Sequence, residues 1–266
     1  MLLSELKLSF GRLRTRALLV GLAAVPSLLV LAVKLSGGPD SGNGPTFLSQ
    51  VSHNGVFAAL AGLTVVIPFF LPLAVSVVAG DTIAGEASLG TLRYLLARPV
   101  SRTRLLVAKL VSASVFCIAA ALAVVVTGLV LGSIVFPIGD VSTLSGTSIS
   151  LVDGVMRAGA AAGVVGMSML GLAAVGLFIS TLTDSPVGAI AACAGVAITS
   201  QILDAIPQLS AIHPFLLTHQ WLSFGDLMRT PVAWGNIGDN LLLQLGWTAV
   251  FGLAAWARMT TKDVLG

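Results

Sequence analysis

From Leu105 to Val135 the chain carries one charge, Lys109, within a run of leucine, valine, alanine and isoleucine. A helix needs roughly 20 apolar residues to cross about 30 Å of hydrocarbon. This run exceeds that length, so it has room to tilt or to start outside a bilayer. Five further runs reach spanning length at about Ala17–Val33, Val56–Ala79, Ala158–Leu182, Val187–Ile206 and Leu241–Ala257. With 56% hydrophobic and only 9% charged residues, the chain has far too few charges to cover a soluble core; ordinary soluble domains carry about 25%. The expected fold is all-α and polytopic, a single transmembrane domain over 1–266 with spans at 17–33, 56–79, 105–135, 158–182, 187–206 and 241–257. Cys117 and Cys193 fall inside apolar runs and imply no disulfide framework.

Lysine and arginine set the orientation. With the N-terminus inside, Lys7, Arg12, Arg14, Arg16, Arg93, Arg98, Arg102, Arg104, Lys109, Arg258 and Lys262 lie on the inner side, and only Lys34, Arg157 and Arg229 on the outer. Both termini and the 80–104 connection are therefore expected in the cytoplasm, in a multi-pass protein of a prokaryotic plasma (inner) membrane. The first apolar run is longer than the core of a secretory leader and lacks a small-x-small cleavage site, so it reads as a retained span. Ahead of it, Leu3, Leu6, Phe10 and Leu13 recur at helical spacing, which predicts an amphipathic interfacial helix over residues 1–16 that contacts membrane lipid. Basic residues are not interleaved with exposed aromatics, so nucleic acid is not an expected partner.

The predicted outer segments differ. Ser36–Gly55 and Phe136–Gly154 read as plain loops. Pro207–Asn240 is too apolar for a solvated loop and is broken by Pro207, Pro214 and Pro231. It predicts short re-entrant or surface-lying helices between spans five and six, with Trp221 and Trp234 as interface anchors.

The longest charged interval is Gly80–Arg104, between spans two and three. Gly80 and Asp81 are expected to end span two, with Asp81 capping a new short helix. Leu89, Leu92 and Leu96 fall on one stripe of that helix, and Arg98-Pro99 stops it. A leucine row on a water-facing helix suits a partner's groove or an elbow packed on its own bundle; periodicity alone leaves both open. Resemblance separates them. The stretch Ala84-Gly-Glu-Ala-Ser-Leu-Gly-Thr-Leu-Arg-Tyr-Leu-Leu-Ala-Arg-Pro-Val-Ser-Arg102, with Lys109 beyond it, resembles the coupling loop of type-2 ATP-binding-cassette permeases. Gly176–Ala189, with its turn Thr183-Asp-Ser-Pro186, is similar to that family's short inner turn between spans four and five.

The resemblance implies a permease subunit of an exporter. Two such subunits, identical or paralogous, would face each other above two copies of a separate ATPase. ATP and Mg2+ would bind that partner, because this chain has no Gly-x-x-x-x-Gly-Lys-Ser/Thr phosphate loop and is not itself expected to be an enzyme. By resemblance Glu86, Gly90, Thr91 and Arg93 are coupling contacts. Arg98, Arg102 and Lys109 either join them or satisfy headgroups and helix ends. The alternatives are a membrane anchor that recruits a soluble partner without transport, and an intramembrane lipid enzyme.

The spans offer hydroxyls and amides rather than charges, which suits an apolar or amphipathic cargo over an ion relay. Asp204 and Lys34 sit near outer span ends and read as snorkelling. Pro68 and Pro72 are expected to kink span two around Phe69 and Phe70; with Thr127 and Ser168 these residues are candidates for a substrate path. Gly159-Ala-Ala-Ala-Gly163 is a helix-packing signature. His53, His213 and His219 fit no compact ligand spacing, and no carboxylate joins them in sequence, so no metal site is expected. No histidine lies in a span or inner loop to activate a serine or cysteine, so no catalytic residue is expected either.

Overall fold

The computed structural model describes residues 2–36, 47–90 and 102–261. They form nine α-helices: α1 (Leu2–Gly11), α2 (Leu13–Leu35), α3 (Phe57–Val66), α4 (Phe70–Ser88), α5 (Arg102–Val135), α6 (Leu151–Ser168), α7 (Leu170–Leu182), α8 (Pro186–Asp204) and α9 (Trp234–Thr261). A two-residue ribbon, β1 (Val141–Ser142) against β2 (Ser148–Ile149), is antiparallel. Six helical runs are long and apolar enough to cross a membrane: α2, α4, α5, α6 with α7, α8 and α9. The chain is a membrane-spanning all-α protein. The end of the bundle that carries α1 is called proximal below, and the opposite end distal.

Packing follows side-chain size. α3 is buried almost all round, with Ala58, Ala59, Leu60, Ala61 and Leu63 at zero exposure, and it packs on α5. Around that pair, α2 lies on α5, α4 on α7 and α8, and α9 on α7. Gly80 is where α4 meets α8 closely: a Cβ there would lie 2.9 Å from the backbone nitrogen of Ile190. A smaller core of Ile83, Leu105, Leu106, Leu177, Ala255 and Met259 closes the proximal end. The chain turns sharply between α7 and α8. The Thr183 hydroxyl accepts the Ser185 N–H, the Ser185 hydroxyl accepts the Gly188 N–H, and Pro186 opens α8 where a helix needs no donor.

Several expected boundaries move. The second apolar run is two helices, broken at Ile67–Phe69, where Phe69 leaves helical geometry with φ −137° and ψ −56°. The bend expected from Pro68 and Pro72 is thus a full interruption, with Pro68 in the gap and Pro72 in the first turn of α4. The fourth run starts at Leu151, earlier than expected, because Ser150 caps it by accepting the Asp153 N–H. It breaks at Met169 without any proline. The last run likewise starts earlier, at Trp234. The 136–154 connection is no plain loop: Val141 is fully buried, and the Leu144 N–H donates to the Met228 carbonyl.

Two further expectations fail. Trp221 is 2% exposed and packs in the core, so only Trp234, at 65%, is placed as a surface anchor. Gly159 and Gly163 face open space, so these two glycines mark no close helix contact among the described residues, while Ala161 and Ala162 between them are fully buried in the core. Pro207–Asn240 holds three short 3-10 segments, Pro207–Leu209, His213–Phe215 and Trp221–Met228, before α9 begins at Trp234.

Candidate functional site

The proximal end gathers the charges. α1 lies along α5, with the Ser112 hydroxyl donating to that of Ser9 over 2.9 Å and the Phe10 and Phe116 rings 6.5 Å apart. The packed face is Glu5, Leu6, Ser9 and Phe10, while Leu3 and Leu13 of the expected apolar stripe are exposed. The helix ends at Gly11 because Arg12 adopts an extended backbone, φ −67° and ψ 131°, before α2 begins. The expected helix over residues 1–16 is therefore divided between α1 and the first turn of α2.

At the centre of this end, Lys109 Nζ on α5 stands 2.6 Å from Glu86 Oε1 on α4 and 3.7 Å from Glu5 Oε2 on α1. The Lys109 and Glu86 side chains are 3% and 7% exposed. A charge this deep persists only when paired, and losing one partner of such a pair costs about 3–5 kcal/mol. The contact joins both ends of the 89–101 connection: Glu86 precedes it and Lys109 follows it. Glu86 is thus buried, where a docking contact would have been water-facing.

Asp81 is also inside α4, not at its end. Its carboxylate meets Arg12 Nη1 at 2.9 Å and Arg14 Nη1 at 3.6 Å. Both arginines are more than a third exposed, so these pairs are weak. The helix passes Gly80 and Asp81 because Ile83 and Ala84 are buried in the proximal core. The Thr82 hydroxyl donates to the Ala79 carbonyl, and the Ser180 hydroxyl on α7 accepts the Ile83 and Ala84 N–H groups at 2.9 and 2.8 Å. α4 stops at Ser88, after which Gly90 takes φ +68°, the left-handed cap that glycine tolerates. Leu89 is 77% exposed. Arg102 opens α5 and donates to the Met259 carbonyl over 2.8 Å, closing the C-terminal end of α9. Thr91, Leu92, Arg93, Leu96 and Arg98 lie outside the described residues. A cleft among Glu5, Ser9, Arg12, Asp81 and Lys109 holds about 30 Å3, enough for little more than a water molecule. These charges hold helices together and leave no room for a cargo.

The substrate-path candidates do not converge. Phe69 and Phe70 are about half exposed and meet edge to face at 5.6 Å. Pro68 is exposed and its carbonyl accepts from Gln201 Nε2 over 2.7 Å. Pro72 is buried, and Thr127 is half-buried on α5. Ser168 is fully buried: it donates to the Val164 carbonyl and accepts from Asn240 Nδ2 at 2.6 Å.

The distal end holds what sequence reasoning missed. Asn240 and Gln244 of α9 are fully buried and bond to Ser168, Ser223 and the Leu217 carbonyl. Beside them Asp204, His213 and His219 bring ligand-type atoms within 4.8 Å of one another. His53 is exposed and stands outside this cluster. The missed signal was the position of Asp204 at the last turn of α8, just before a proline-rich reversal that carries both histidines back.

Residues 42–265 match the family model described as "Protein of unknown function (DUF2705)". The chain belongs to this family. The DUF2705 match takes in α3 to α9, with Asp81, Glu86 and Lys109 and the whole distal cluster but not α1 and α2, and its description assigns no activity. No curated protein matches the chain.

Proposed function

We propose that this DUF2705 chain is the membrane-spanning permease subunit of an ATP-driven exporter. Its cargo would be apolar or amphipathic: a drug, antibiotic, peptide or lipid-like compound. The observation that carries this reading is the buried Glu86–Lys109 pair at the root of a connection whose sequence resembles a coupling loop. A load applied to residues 89–101 reaches α4 and α5 together, because the pair ties those helices where they enter and leave the connection. α1 joins the same unit through Glu5.

On this reading the proximal end faces the cytoplasm. An ATPase with ATP and Mg2+ grips Leu89, Thr91, Leu92, Arg93 and Leu96. Closure of two ATPase copies moves two permease bundles, identical or paralogous, between inward- and outward-open arrangements. ATP drives that change only by favouring one arrangement energetically. Glu86 and Asp81 transmit force within this chain and do not touch the partner. An anchor without transport would share the docking contacts, and the absence of cargo-dependent ATP hydrolysis would mark it.

Co-expression of the chain with an ATP-binding-cassette ATPase encoded beside it tests the assignment. The expected outcome is a stable complex whose ATPase rate changes when amphipathic compounds are added. Leu92→Asp or Arg93→Glu should abolish co-purification while membrane insertion persists. Undiminished association in both variants would remove the docking role.

A further inference from the structure

We propose that Asp204, His213 and His219 form a binding site for a divalent first-row transition metal, such as Zn2+, at the distal end of the bundle. This inference stands apart from the exporter reading and does not depend on it. The three residues come from separate elements. Asp204 is the last residue of α8, His213 opens the 3-10 segment His213–Phe215, and His219 lies just before Trp221–Met228. Their convergence is a product of the fold.

Asp204 Oδ1 is the shared point, 2.6 Å from His219 Nδ1 and 3.9 Å from His213 Nδ1. The His213 ring has a defined tautomer. Its Nε2 lies 3.1 Å from the Ile206 carbonyl, which can only accept, so Nε2 carries the proton. In its neutral form the ring presents the Nδ1 lone pair towards a carboxylate oxygen 3.9 Å away, beyond hydrogen-bond distance, and a cation between the two acceptors would satisfy both. A carbonyl holding the far nitrogen of a ligand histidine is also the usual outer support of a metal site.

The dimensions agree. A tetrahedral ion with ligands at about 2.0–2.2 Å sets them about 3.4 Å apart. The observed 2.6 and 3.9 Å separations straddle that value, and small rotations of the rings and the carboxylate equalise them. Without metal, His219 Nδ1–H donates a hydrogen bond to Asp204; metal entry takes over Nδ1 and the ring carries its proton on Nε2 instead. Two imidazoles and a carboxylate, with no thiolate, favour Zn2+, Cu2+, Ni2+ or Co2+ over the hard ions Ca2+ and Mg2+.

The supporting segment is fixed on two sides. The Thr218 N–H donates to the Ser200 hydroxyl of α8, and the two hydroxyls lie 2.9 Å apart. From α9, Gln244 Nε2 donates to the Leu217 carbonyl and Trp247 Nε1 to the Phe215 carbonyl, at 2.9 and 3.1 Å. The histidines are therefore held before any ion arrives, which lowers the cost of ordering them. A cavity of about 250 Å3, lined by Pro68, Gln201, Asp204, Thr218, His219 and Leu222, opens onto the cluster. It leaves the remaining coordination position accessible to water or to a ligand donor atom. With one carboxylate against a 2+ ion, that position favours an anionic or lone-pair donor.

The test uses the full chain, purified through a histidine-free tag, stripped with EDTA and titrated with Zn2+ in detergent against a competing fluorescent chelator. One Zn2+ per chain is expected, with a rise in unfolding temperature. Co2+ should give the visible absorption of a four-coordinate site. Asp204→Asn and His219→Ala, which remove ligands, should each lower affinity by at least the ~100-fold that loss of a residue supporting a ligand can cost. His53→Ala should leave it unchanged. Unfolding temperatures of the metal-free variants separate a lost ligand from a lost fold. If the wild-type chain takes up no stoichiometric Zn2+, Asp204 and the histidines share only protons and the proposal is overturned. It is equally overturned if folded Asp204→Asn and His219→Ala chains bind as tightly as wild type.

Discussion

At the proximal end Lys109 is buried between two opposite charges, Glu5 and Glu86. At the distal end the buried contacts are between neutral groups, Asn240 and Gln244 with Ser168, Ser223 and a backbone carbonyl. Both sets are buried and both tie helices to each other. They differ in what happens when one member is lost. A neutral network left incomplete costs the desolvation of an amide or hydroxyl, whereas a broken ion pair leaves an uncompensated charge in low dielectric. The proximal end is thus the joint less able to tolerate single changes, and on the proposed reading that is where a loop would deliver force.

The largest effect should come from breaking the charge pair one side at a time. Glu86→Ala or Lys109→Met should destabilise the bundle by about 3–5 kcal/mol, read as thermal unfolding in detergent. The double substitution Glu86→Leu with Lys109→Met should recover most of that loss, because paired apolar groups often replace a buried ion pair at little cost. If the singles are harmless, the proximal end is not held by this contact. A smaller effect is expected distally. Asn240→Leu should cost about 1–3 kcal/mol, since the Ser223 hydroxyl and Gln244 amide each lose a partner. An Asn240→Leu loss as large as that of the Glu86 singles would erase the contrast between the ends.

Much of the scaffold was legible in the sequence. Six apolar runs announced six crossings, and Ser185-Pro186 announced the turn into α8. What was hidden depends on partners distant in sequence. Asp81 and Glu86 looked like water-facing residues because charge usually means solvent. Here Arg12 covers one and Lys109 the other, so α4 runs on to Ser88. The break at Met169 has no proline or glycine of its own to mark it. Trp221 looked like a surface anchor because aromatic residues gather at interfaces, yet the reversal of Pro207–Asn240 turns it inward. Asp204 and the two histidines are joined only by that same reversal, which periodicity cannot describe. The resemblance in the loop after Leu89 is a matter of sequence alone, since most of that loop lies outside the described residues.

Sidedness tests most directly the proposal that the proximal end meets a cytoplasmic motor. Both native cysteines are buried, so single surface cysteines can be read against a silent background. Leu89 is 77% exposed at the proximal end, and Phe215 is 72% exposed at the distal end. With a membrane-impermeant maleimide on intact cells, Phe215→Cys should label and Leu89→Cys should label only after the membrane is opened. If Leu89→Cys labels in sealed cells, the loop faces the exterior, where no ATPase has nucleotide to burn, and the chain is not an ATP-driven permease of this design.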